Sequence, residues 1–124
     1  SPLSRALETA TYIANAKNMP IRTDERLVEI DFGVFEGQDR ACPEYQNSKR
    51  EYFKKYSLGE SFLQLTGRIC CCLDMLKKEY PDKKVLLVAH GGICRIIHNL
   101  FCDMENEEFV TYAFPNCGLE KFEF

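Results

Sequence analysis

The sequence predicts an α/β fold with a largely parallel sheet, and three patterns predict it. Stretches of helical periodicity alternate with short runs of strand character, the order that builds parallel sheets. One run, Val85-Leu86-Leu87-Val88-Ala89, is apolar at every position, as in a strand covered on both faces. It ends at His90-Gly91-Gly92, where an apolar helical pattern begins at once. The 124 residues are expected to form a single domain, 1–124.

In chain order, Leu3 to Lys17 reads as a helix, because Leu3, Ala6, Leu7, Ala10, Ile13 and Ala14 recur at helical spacing. Ser1 is a candidate N-cap, Pro2 suits a first helical residue, and Asn18 and Pro20 stop the helix. Ile21 to Thr23 suits a short strand. Asp24 to Gly37 holds neither period and reads as a strand end leading into a structured loop, the kind of segment that carries function when a scaffold fixes it. Pro43 to Tyr56 reads as a polar helix with aromatics, a candidate lid. Gly59 breaks it. Glu60 to Glu79 follows as the clearest helix, with Phe62, Leu65, Ile69, Leu73 and Leu76 on one face. After the Val85–Ala89 strand and the His90-Gly91-Gly92 turn, Ile93 to Phe101 is a helix facing inward through Ile93, Ile96, Ile97 and Leu100. Gly118 to Phe124 alternates like a strand.

Composition narrows the function. The net charge is −3, with no basic face, which argues against a nucleic-acid partner. No apolar run is long enough to span a membrane, so no membrane partner is expected. Seven cysteines show no paired C-x-x-C spacing, and Cys70, Cys71 and Cys72 are consecutive. Helix neighbours point about 100° apart, so these three do not close one tetrahedral metal site. They read as small apolar residues kept reduced, in keeping with a cytoplasmic protein. No metal is expected.

Three constellations point to phosphate chemistry. His90 stands at the carboxyl end of a strand, the ligand-binding edge of parallel sheets. The helix behind it offers free N–H groups and a positive dipole end to an anion, and Gly91 and Gly92 allow close approach. Read structurally, His90 would only close a strand end. Arg5 lies in the first helical turn, where a cation opposes the helix dipole. It either meets an anion, which Arg grips through two parallel hydrogen bonds, or pairs with Glu8 on the same helix face. Among the acids Glu25, Glu29, Asp31 and Glu36, Glu29 lies between Val28 and Ile30 and is the one most enclosed. Enclosure is what a general acid needs, although a loop acid is more often simply solvated. His98, two turns beyond the glycines, reads as a satisfied structural histidine.

Together these segments resemble the histidine phosphatases, the phosphoglycerate mutase-like superfamily. Ser1-Pro2-Leu3-Ser4-Arg5-Ala6-Leu7-Glu8-Thr9-Ala10 is similar to their S-x-L-x-R-A-x-x-T-A segment. Leu27 to Gly33 with Glu36-Gly37 is similar to L-x-E-x-x-F-G-x-x-E-G. Gly59-Glu60-Ser61 followed by Arg68 resembles a G-E-S helix start, and Val85 to Gly92 a strand ending in A-H-G-G. The resemblance implies a three-layer sandwich and a phosphomonoester hydrolase acting through a phosphohistidine, without cofactor or metal. Arg5 would bind phosphoryl oxygens. Glu29 would protonate the leaving oxygen and then activate water, while His90 and the Gly91 N–H would steady the equatorial oxygens. The F-G-x-F-E-G form is closer to the phosphatase branch, such as broad-specificity or alpha-ribazole-type phosphatases, than to true mutases. The substrate implied is a phosphorylated small molecule.

One departure matters. The family's nucleophile is a histidine in an R-H-G motif on the first strand, and no R-H-G occurs here. The chain is therefore expected to be incomplete at its N-terminus, and at its C-terminus, where the family has more sheet. It is expected to be inactive alone, and to form homo-oligomers or strand-swapped assemblies through its unpaired sheet edge. Two alternatives stand beside this: a non-catalytic remnant that binds phosphate or a partner, and phosphoglycerate mutase activity in the complete protein.

Overall fold

The computed structural model describes all 124 residues. Five helices carry the structure: α1 (Ser4–Lys17), α2 (Pro43–Ser48), α3 (Phe62–Glu79), α4 (Gly91–Phe101) and α5 (Asn106–Thr111). Two 3₁₀ turns, Glu25–Leu27 and Gly33–Phe35, shape the loop between α1 and α2.

Helix α3 organises the core. A capping box starts it: Ser61 Oγ accepts from the Gln64 N–H at 3.2 Å, and the Gln64 side chain accepts from the Ser61 N–H at 3.0 Å. Its buried face is Phe62, Leu65, Ile69, Cys72 and Leu73. Helix α4 covers that face with Ile93, Ile96 and Ile97, and Leu27 and Ile30 of the loop complete it. These positions repeat every three or four residues, so each helix presents one apolar stripe to the other. An aromatic cluster extends the core, with Tyr45 and Tyr56 buried against Phe32 and Phe35. Helix α1 is the exception, burying only Ala6 and Ala14.

The α/β expectation is overturned. The chain forms no strand, no parallel sheet and no three-layer phosphoglycerate mutase-like sandwich. Residues 85–89 and 118–124 make no backbone hydrogen bonds to one another, and 21–23 none at all. An apolar run becomes a strand only by pairing its backbone with a neighbour, and here none lies alongside. Nor is the Val85–Ala89 run covered on both faces, since Val85 and Leu86 keep nearly half their surface exposed. On one side lies an open cleft of about 570 Å³, lined by residues of 85–88, α1 and α3.

Three helix readings also change. The cap of α1 is Leu3, not Ser1, whose hydroxyl instead accepts from the Leu3 N–H and contacts His90. The 43–56 segment is helical only to Ser48, and burial of Tyr45 and Tyr56 anchors it, so it is no polar lid. Helix α5 went unread because it is short and its two core residues, Phe109 and Val110, are adjacent rather than periodic.

Candidate functional site

Glu29 is held from below and from in front. Its neighbours Leu27 and Ile30 are core residues, which fixes the backbone on either side. Arg68 of α3 ties the same loop down through two carbonyls, Nη1 to Arg26 O at 2.5 Å and Nη2 to Glu29 O at 3.3 Å. Arg68 is in turn gripped by Glu60, at 2.6 Å and 3.2 Å, and Glu60 Oε1 also accepts from the Asp31 N–H. Planar guanidinium and carboxylate match in such a two-point contact. Gly59 lets this junction close, because a Cβ there would stand 2.3 Å from Asp31 O.

The Glu29 carboxylate accepts from the Ile30 N–H at 2.9 Å and from the Gly92 N–H at 3.2 Å. It therefore sits at the N-terminus of α4. A side chain at Gly92 would put its Cβ 2.5 Å from Glu29 Oε1, so any larger residue there would push the carboxylate out of this position.

His90 caps α4 by backbone alone and is 8% exposed. Its Nε2 lies 2.8 Å from Ser1 Oγ. Burial holds the imidazole below its ordinary pKa, Glu29 opposes this, and Arg5 pushes the same way as burial. Arg5 is exposed in the first turn of α1 and forms no ion pair, so the alternative pairing with Glu8 is not made. Gly91 begins α4, where a first-turn N–H has no intrahelical partner. The structure thus groups Glu29, His90 and Gly91 around one helix end, with Arg5 close enough to act on His90 electrostatically.

Other acids have structural work. Asp31 accepts from the Gly33 N–H and Glu36 from the Phe32 N–H. His98 pairs with Glu120 at 2.7 Å and stacks on Tyr112. No group of three or more His, Cys, Asp or Glu side chains converges as metal ligands would. Residue-by-residue reading missed the Glu60–Arg68 clamp. It also missed Arg95, one turn beyond Gly91, a spacing that places it on the same helix face.

A family model, the histidine phosphatase superfamily (branch 1), matches residues 1–124. The phosphatase PhoE of Bacillus subtilis, described as uncharacterised, is 33% identical across the whole chain, which covers 62% of PhoE. Phosphoserine phosphatase 1 of Hydrogenobacter thermophilus is 25% identical over 95% of the chain and 59% of that protein. The solved structure of Bacillus stearothermophilus YhfR superposes with a TM-score of 0.76 at 25% identity, covering 91% of this chain and 59% of YhfR. The chain spans about 60% of the length of the relatives it matches.

Proposed function

Since the chain belongs to the histidine phosphatase superfamily, branch 1, we propose that it supplies the acid and the phosphate pocket of a phosphomonoester hydrolase. The observation that carries this reading is the Glu29 carboxylate held at the N-terminus of α4 beside His90. An anion at that helix end meets free N–H groups and a favourable dipole.

In the proposed mechanism a histidine outside these 124 residues attacks phosphorus, and the phosphorus–ester oxygen bond breaks. Glu29 gives its proton to the departing oxygen. Water then attacks the phosphohistidine while Glu29 takes a proton from it, releasing phosphate and restoring the histidine. His90, Arg5 and the Gly91 N–H bind the equatorial oxygens. Phosphoryl transfer needs chiefly positioning and charge stabilisation, and these residues offer both. A neutral His90 donates one hydrogen bond to phosphate, and the bound dianion favours its protonation. The chain alone is proposed to be inactive, as the nucleophile is not within it. The substrate is a phosphorylated small molecule. Free thiols at all seven cysteines support a cytoplasmic setting. No helix is long and apolar enough to cross a membrane. Val85 and Leu86, half-exposed in a run that pairs with no strand, support self-association, which sedimentation across a concentration series measures.

The test is hydrolysis of p-nitrophenyl phosphate by a chimera in which the part of PhoE ahead of the matched region precedes this chain. Turnover lost on His90→Ala, and slowed by Glu29→Gln while a phosphohistidine still accumulates, is expected. An inert but folded chimera contradicts the reading. Activity of the 124-residue chain alone that His90→Ala abolishes would assign the nucleophile wrongly.

A further inference from the structure

His90 has two ring nitrogens, and its place in the phosphate pocket does not say which of them carries the proton. In a neutral imidazole one nitrogen donates and the other accepts, and the hydrogen bond made by one decides the task of the other. Nε2 lies 2.8 Å from Ser1 Oγ, and Nδ1 has no partner in the chain. The two side-chain polar atoms that are both buried and unpaired belong to Tyr56 and Arg95. Nδ1 therefore keeps contact with solvent, although His90 as a whole is buried. Of the two nitrogens, Nδ1 is the one left free for a ligand.

Ser1 is held so that its hydroxyl proton has one acceptor within the chain. Its Oγ already accepts from the Leu3 N–H at 3.3 Å, and the other group within hydrogen-bond reach is His90 Nε2. A serine hydroxyl has one proton and two lone pairs. A hydroxyl that accepts a hydrogen bond becomes a better donor. Leu3 N–H to Oγ, then O–H to Nε2, is thus a chain of two bonds running in one direction. No acid competes for the ring. Glu29, which acts on it electrostatically, has one carboxylate oxygen on the Ile30 N–H and the other on the Gly92 N–H. Burial favours the neutral ring, the form in which the choice of tautomer exists.

We propose that Ser1 is a positioning residue: its hydroxyl donates to His90 Nε2, fixes the neutral ring as the Nδ1–H tautomer and leaves that N–H as the donor offered to phosphate. The proposal deepens the phosphatase reading and rests on it for the phosphate. An imidazole free in water favours the other tautomer, with its proton on Nε2. Without the hydroxyl, Nδ1 would more often present a lone pair to a phosphate oxygen, which repels it. When bound phosphate protonates the ring, Nε2 gains a proton and needs an acceptor. The Ser1 hydroxyl then turns, and Oγ accepts from the Nε2–H on its second lone pair. One side chain serves both states of His90.

The test reads the His90 ring nitrogens by NMR in the 124-residue chain at about pH 7.5, in wild type, Ser1→Ala and Ser1→Thr, with and without inorganic phosphate. The wild-type ring is expected to be Nδ1–H. Ser1→Ala should shift it toward Nε2–H and weaken phosphate binding by roughly threefold to tenfold, the value of one neutral hydrogen bond. Ser1→Thr keeps the hydroxyl and should restore both. Arg5→Ala should weaken phosphate and leave the tautomer as it is, which separates loss of a charge from loss of a tautomer. A wild-type ring found as Nε2–H overturns the proposal, and that reading needs no variant to fold. A Ser1→Ala ring unchanged from wild type overturns it too, as does a changed tautomer with phosphate affinity unaltered. Should the wild type bind no phosphate, the phosphatase reading falls instead. The tautomers of wild type and Ser1→Ala then decide alone whether Ser1 sets the ring.

Discussion

Glu29 and Arg5 both act on His90, yet they stand on unequal foundations. Beneath Glu29 lie Leu27, Ile30, Leu65, Ile69 and Ile93, and the Glu60–Arg68 pair stitches the loop to α3. Beneath Arg5 lies a helix that buries two alanines, beside a run whose Val85 and Leu86 face a cleft. The acid side of the site is therefore fixed by this chain's own packing. The Arg5 side holds its place through few buried contacts, together with the polar contacts of Ser1 to Val88 O and His90. Catalytic precision does not demand equal rigidity everywhere, but in the proposed mechanism Glu29 must be placed closely relative to the leaving oxygen.

The contrast sharpens under substitution. Ile69→Ala, on the acid side, removes a fully buried side chain from a tight face and should cost about 2–5 kcal/mol in urea denaturation. Arg68→Ala leaves Glu60 partly buried and two carbonyls unpaired, and should cost about 2–3 kcal/mol. Its further signature should be a changed environment at the Gly92 amide, which reports the Glu29 carboxylate. On the other side Leu86→Thr should change stability by less than ~0.5 kcal/mol, as expected for a surface residue. A cost comparable to Ile69→Ala would mean that the cleft is covered in solution.

A smaller effect concerns His90. Its folded-state pKa lies below the ordinary imidazole value of about 6.5. The unfolded chain therefore binds the proton first, so stability is full above that value and declines as pH falls through it. Thermal unfolding from pH 7.5 to 5 should show this fall, and His90→Gln should flatten it. Phosphate should oppose the fall by favouring the charged ring.

What the sequence could and could not reveal follows the same division. Helices α1, α3 and α4 were readable because their apolar residues repeat at helical spacing and the stripes face a partner within the chain. His90, Glu29 and Gly91 were readable from a strand-like run followed by glycines and an enclosed acid, and the structure does bring them to one helix end. The sheet was misread because apolarity shows only that a run seeks burial, whereas pairing depends on a neighbouring backbone that Val85–Ala89 lacks. Arg68 and Arg95 escaped because their meaning depends on partners distant in sequence, Arg26 and Glu29 for the first and Tyr112 for the second. The family resemblance marked Arg68 without saying what it holds.

The central claim is that Arg5, His90 and Gly91 share one phosphate at the head of α4. The most direct test is a phosphate titration of the 124-residue chain followed at the His90 ring and the Gly91 amide by NMR. Both signals should move with one common dissociation constant, and Arg5→Ala should weaken it by roughly tenfold or more. Signals that stay still, or that move identically in Arg5→Ala, would contradict the account.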